Sequence, residues 1–204
     1  MKDFRDFVRC LDGLEWAPAG YLDPQLAELL AELGQQPGLI RDVVQSWNSP
    51  GLDLRQLSCH ETKTHYKWFV HYDPSLRYKI WLHQYKSAGQ RQAGHAEVPH
   101  NHRYSLASLI IRGGFAHHCY KQISDGIAEL PYGPDSYVAG DVYAIEWHQI
   151  HRLSRILNHT VTLVVESPPA RNFSEAFYGD SGEPRLFYDF AGMLSQFSSE
   201  LAAT

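Results

Sequence analysis

The sequence predicts a mainly β protein, a closed or nearly closed β-barrel with helices packed on its outside. Two observations carry that prediction. The first fifty residues place apolar side chains at helical spacing, and from Gly51 to Pro169 the chain breaks into short β-branched and aromatic runs punctuated by Gly and Pro. A length of 204 residues, 44% hydrophobic and 20% charged, suffices for one such core. The expected layout is a single domain, with a helical segment over 1–50, a barrel core over 60–170 and a C-terminal extension over 171–204.

In the helical block, Asp23-Pro24 offers a cap followed by a proline suited to a first turn. Leu26, Leu29, Leu30 and Leu33 recur at helical spacing until Gly34 stops the run. A second helix is expected over 39–47, ended by Ser49-Pro50-Gly51. Strands follow. Residues 66–72 are aromatic and β-branched, and Asp73-Pro74-Ser75 turns the chain. Over 78–85 the pattern alternates, with Tyr78, Ile80 and Leu82 on one face and Lys79, Trp81 and His83 on the other. Further strands are expected over 104–111, 115–120, 141–145, 150–153 and 160–166. Gly113-Gly114, Gly126, Pro131, Gly133-Pro134 and Gly140 mark turns, and Pro168-Pro169 ends the last strand. On that strand Val161, Leu163 and Val165 form an apolar face fit to lie under the helices, so Thr162, Val164 and Glu166 should face the barrel interior. A helix over 193–202 would close the chain.

Composition narrows the function. A net charge of −5 with scattered Lys and Arg argues against a nucleic-acid binder and offers no basic tract to anionic lipid. No apolar run approaches the ~18 residues of a membrane helix. Met1-Lys2-Asp3-Phe4 leads into no signal-peptide-like apolar stretch. Cys10, Cys59 and Cys119 are odd in number and far apart, forming neither a disulfide framework nor a CxxC zinc pair. They read as reduced thiols, and the expected compartment is cytoplasmic. The unusual feature is the twelve histidines.

Pro99-His100-Asn101-His102 is the most informative segment. In a strand, residues two apart face the same side, so both imidazoles can reach one ion. His151, from another strand, is the candidate third ligand of a facial set. Among twelve histidines an HxH also arises by chance, and a surface or hydrogen-bonded core pair has the same spelling.

His100-x-His102, with Gly114 twelve residues on, resembles the first cupin motif, and Gly140 with His151 eleven residues later resembles the second. The usual cupin carries a glutamate four or five residues after the second histidine. Leu106 and Ala107 stand there, so the resemblance implies a three-histidine site. The stretch from His151-Arg152-Leu153 through Asn158-His159-Thr160 to Glu166-Ser167-Pro168-Pro169 is similar to the cysteine dioxygenase family, a three-histidine branch of the cupins. That resemblance implies a cupin (double-stranded β-helix or jelly-roll) barrel holding Fe(II) through His100, His102 and His151. It also implies an O2-using oxygenase acting on a small thiol, amine or amino-acid-like substrate. The chain departs from the family at four places. Ala107 and Glu166 match the cysteine and tyrosine that animal enzymes cross-link, Val164 matches a histidine behind the iron, and the substrate-clamping arginine falls near Trp68, with Lys67 the nearest cation.

Several residues are candidates for the surroundings of the site. Glu166 is the candidate catalytic carboxylate, as a base, an anchor for a substrate amine or a metal ligand; a solvated rim position is the alternative. Facing inward, it would repel a substrate carboxylate and attract a cationic group. Lys67 and Arg112 are candidates for binding a carboxylate, though exposed strand charges are the default. Trp68, Tyr85 and Tyr104 are candidate pocket walls, or core filling. Of His117 and His118 one should point inward, to substrate or to a ligand histidine, and His148 sits in a loop near the expected mouth. Two other functions fit the same residues: a metal-dependent isomerase or lyase using Glu166 as base, and a non-catalytic cupin binding a small ligand.

Overall fold

The computed structural model describes residues 1–16, 20–46, 59–91, 97–123, 126–178 and 184–188. Three helices lead: α1 (Phe4–Asp12), α2 (Gln25–Gly34) and α3 (Pro37–Ser46). Asp3 caps α1 by accepting the Asp6 N–H, and Phe7 and Leu11 are the buried stripe. On α2 the expected stripe is present in Leu26, Leu30 and Leu33. The helix starts one residue later than the cap reading implied, with Pro24 as N-cap and Asp23 Oδ1 accepting the Gln25 N–H. The expected end of α3 at Trp47 and the helix over 193–202 lie outside the described residues.

Among the described residues twelve strands follow, in antiparallel sheets. One sheet has the order β1-β2-β3-β10-β4-β8, from β1 (Cys59–Glu61), β2 (His65–Tyr72), β3 (Lys79–Tyr85), β4 (Leu106–Arg112), β8 (Val142–Ile145) and β10 (Val161–Glu166). The other is built on β5 (Gly114–Ile123), which pairs with β6 (Gly126–Glu129), β7 (Asp135–Val138) and β9 (Ile150–Ser154). A hairpin of β11 (Phe173–Phe177) and β12 (Pro184–Tyr188) completes the set.

Strand alternation divides the core in two. Tyr78, Ile80, Leu82, Ala107, Leu109, Leu163 and Val165 face the helices and pack with Phe7, Leu11, Leu26, Leu30 and Leu33. The opposite face of the same sheet supplies Tyr85, Leu106, Ile110 and Val164 to a second cluster, where Phe115 and Leu153 join from the other sheet. The layers are therefore helices, sheet, interior, sheet, which is a mainly β jelly-roll with helices on one outer face. α2 approaches β4 closely at Gly34, where an added Cβ would lie 2.8 Å from a Leu109 methyl. The Gly113-Gly114 turn between β4 and β5 needs both glycines. Gly113 has φ +77, and its missing Cβ makes room for Thr160, whose hydroxyl accepts the Gly114 N–H at 3.1 Å. Among the described residues no helix is long and apolar enough to cross a membrane.

The Pro99–His102 segment is not a regular strand. His100 makes isolated bridges to His151 on one side and Ala176 on the other. The HxH backbone thus joins β9 to the β11–β12 hairpin, and the extended backbone at His100 still sends both histidines to one side. Tyr104, expected to begin a strand, precedes β4.

Candidate metal centre

Nitrogens of His100, His102 and His151, one from each, lie within 4.8 Å of one another. The backbone fixes their approach. His100 and His151 exchange two N–H···O bonds of 2.8 Å, and the His102 N–H donates to Trp147 O at 3.2 Å. The rings are oriented from behind. His100 Nδ1 donates to Val98 O at 2.8 Å, which leaves the ring's lone pair on Nε2. His151 Nδ1 meets His117 Nε2 at 3.0 Å, and His117 Nδ1 lies 3.8 Å from Cys119 Sγ. Burial pulls His117 down to about 4, so it is neutral near pH 7. Ligation through His151 Nε2, which lies 2.9 Å from His102 Nε2, requires the His151 proton on Nδ1; His117 can accept it at Nε2 when its own proton is on Nδ1. Three imidazoles held this way suit one divalent ion.

These histidines wall a cavity of about 590 Å³. Lys63, Lys67, Arg103 and Arg185 also line it, and among its described lining residues there is no Asp or Glu. His83 contributes from β3. Its ring lies 4.6 Å from that of His65, whose Nδ1 is held by Thr64 Oγ1 at 2.8 Å. Burial, reinforced by the His65, Lys67 and His102 charges, holds His83 well below the usual imidazole range. Among the described residues its buried Nε2 has no hydrogen-bond partner.

Glu166 is buried, on the inner face of β10, but is not among the residues lining the cavity. The cation it attracts is Lys67, whose Nζ donates to Glu166 Oε1 at 3.2 Å. The buried ammonium opposes its own charge by desolvation, yet the facing carboxylate and the Tyr104 hydroxyl outweigh that and push Lys67 up. Burial and then Glu166 push the Tyr104 phenol up in turn. Tyr104 also stacks on His102, with centroids 5.6 Å apart. The expectation that Glu166 would itself offer negative charge to a substrate is corrected by this pairing, since the protein already supplies the counter-charge.

The other candidates divide. Tyr85 and Tyr104 line the cavity. Trp68 does not; it packs against the helix-side cluster, because Lys67 takes the inward position on β2. Arg112 is exposed at the end of β4, away from the cavity. Of the two contacts expected of the inward histidine, His117 makes the one with a ligand histidine: it lies behind His151 and is not among the residues lining the cavity, which corrects its assignment to substrate binding. His118 points outward to Glu129 and Ser154, and His148 is exposed beside Glu146. Ala107 faces the helices, so the position matching the cross-linked cysteine does not face the cavity. His83 was missed although it shares a strand face with Tyr85, two residues away, which was the available signal. Arg185 lay in a stretch with no strand-like alternation and carried no signal.

No family model and no curated protein matches the chain. Solved structures resemble it. KdgF from Halomonas sp. is similar at 12% identity and TM-score 0.40, over 56% of this chain and 90% of that one. Ectoine synthase from P. lautus is similar at 14% and 0.39, over 57% and 75%. An RmlC-like cupin from Shewanella frigidimarina NCIMB 400 is similar at 16% and 0.39, over 59% and 88%. These likenesses carry no argument about chemistry, and the fold rests on the sheet order and two-layer core above. Fold and site together define the class: a mainly β jelly-roll with a three-histidine cluster able to hold a metal ion.

Proposed function

We propose that this protein is a non-heme Fe(II) oxygenase that uses O2 on a small thiol, amine or amino-acid-like substrate. The observation that carries the reading is the three-histidine cluster opening on a cavity whose described lining residues include no carboxylate. A facial set of neutral imidazoles leaves coordination positions open on the cavity side. When bound there through His100, His102 and His151, Fe(II) would supply one-electron chemistry with O2. The chain's own residues do the rest. His117 holds His151 in one tautomer, Val98 O does so for His100, and Tyr104 packs on His102. With Lys67 neutralised by Glu166, Lys63, Arg103 and Arg185 still give the wall a cationic surplus that favours a substrate bearing an acidic group. Lys67 is held by Glu166 and does not swing freely, which suits a fixed donor. The alternative in which Glu166 is a catalytic base loses support, because its carboxylate serves Lys67.

The test loads the protein anaerobically with Fe(II) and follows O2 uptake against a panel of thiols and amino acids, including their decarboxylated analogues. The expected result is uptake with at least one acid-bearing compound, lost in His151→Ala together with the iron. Stoichiometric iron with no O2 uptake from any compound would overturn the oxygenase reading, and no metal binding at all would overturn the metal centre.

A further inference from the structure

We infer that Asn101, Arg171 and Glu175 form a latch that sets the geometry of the histidine cluster and ties it to the β11–β12 hairpin. The inference rests on the metal reading above. Asn101 stands between the two histidines, so its side chain leaves on the side opposite to theirs, and it is 4% exposed. A buried amide needs both of its polar ends satisfied. Both are. Asn101 Nδ2 donates to Glu175 Oε2 at 2.5 Å, and Asn101 Oδ1 accepts the Glu175 N–H at 2.8 Å and an N–H from Arg171 Nη2. The backbone adds an Asn101 N–H to Glu175 O bond of 3.0 Å.

Arg171 closes the network. Its Nη1 donates to Glu175 Oε2 at 2.9 Å, and Nη2 also reaches His102 O at 3.4 Å. Its guanidinium also lies over two aromatic rings, 4.5 Å from the Phe173 centroid and 5.2 Å from that of Trp147. Trp147 is the residue whose carbonyl receives the His102 N–H. One arginine thus touches the segment carrying two metal-ligand candidates and, through Glu175, the hairpin. That hairpin brings Ser174, Arg185 and Phe187 to the cavity. The three residues are positioning residues: none of them lines the cavity, and they act through the His100–His102 segment. Their second consequence is that the spacing of His100 and His102 and the seating of the hairpin move together.

The test exchanges the charge across the latch. Asn101→Asp sets two carboxylates face to face, and Asn101→Asp combined with Glu175→Gln restores a donor and acceptor with one net carboxylate beside Arg171. Co(II) affinity is read by chelator competition, the visible Co(II) spectrum reports ligand geometry, and thermal unfolding of the metal-free protein reports bulk stability. Asn101→Asp should bind Co(II) ~10–100-fold more weakly with a shifted spectrum, and the double variant should return to near wild type. Should Asn101→Asp fail to fold, Glu175→Ala removes the same contact from the hairpin and should show the same loss. Lower thermal stability with unchanged Co(II) affinity and spectrum would make the network merely structural and overturn the latch. Failure of the wild-type protein to bind Co(II) would instead overturn the metal reading, and the latch with it.

Discussion

Lys67 and Glu166 are each other's solution to burial: the side chains are 21% and 6% exposed, and a lone charge buried there would cost several kcal/mol. Lys67→Met strands the carboxylate and should destabilise the protein by about 3–5 kcal/mol, the usual cost of breaking a buried pair from one side. Lys67→Met with Glu166→Leu should recover most of that loss, since no unpaired charge remains. Urea denaturation of the two single variants and the double variant closes the cycle. A single-variant cost under about 1 kcal/mol would mean that the pair is solvated. At the same scale, His117→Leu removes the acceptor that fixes His151 Nδ1. It should weaken metal binding ~10–100-fold without touching a ligand, as loss of a supporting hydrogen bond does. Chelator competition measures it.

Among the elements, the β2–β3 turn shows how a short connection locks a helix to a sheet. Asp73 Oδ2 accepts from Arg77 Nε and from the Arg77 backbone N–H, each at 3.0 Å, and Arg77 Nη2 bridges Asp73 and Asp12 at the end of α1. The Tyr78 hydroxyl donates to the same Asp12 carboxylate at 2.9 Å. Hydrogen bonding to Arg77 outweighs the upward push of burial and brings the Asp73 carboxyl from 3.8 to about 2. The folded form therefore holds its proton less tightly than the unfolded chain. This stabilisation is fully present above the unfolded value and fades as pH falls toward about 2. Asp73→Asn should cost about 1–2 kcal/mol at neutral pH, discounted because Arg77 is partly exposed. Its denaturation midpoint should also change less than wild type's between pH 4 and pH 2. Parallel pH profiles for the two proteins would show that the turn carries no such linkage.

On the scale of the molecule, the three histidines come from two separate stretches of chain, Pro99–His102 and β9, whose distance is set only by folding. A ligand that binds the folded state alone must then stabilise it. A divalent ion at about 100 times its dissociation constant should add about 2.7 kcal/mol, which for a chain of this size raises Tm by roughly 5–10 °C. The shift should vanish in His151→Ala, as calorimetry with and without Co(II) will show. An equal shift in His151→Ala would place the ion elsewhere.

Much of this protein is determined by sequence alone, where side-chain period meets a single buried face. The alternation of 78–85 and of 161–166 separates helix-side from interior residues correctly, because a strand that is covered on both faces by different layers must still alternate between them. The helical stripe of α2 and the Gly113-Gly114 turn were legible for the same local reason. β1, β6 and β7 were not, being three or four residues long with no buried residue, and so with no apolar rhythm to read. Nor was the β11–β12 hairpin, whose partner is the HxH segment some seventy positions earlier. The histidine spelling marked His100, His102 and His151 as candidates. Only the tertiary structure placed them together, turned His117 behind the cluster and paired Glu166 with Lys67 across 99 positions of chain. The physical reason is common to all three: a local pattern fixes which way a side chain points, whereas its charge partner and its proton are chosen by whatever the fold brings within about 3 Å.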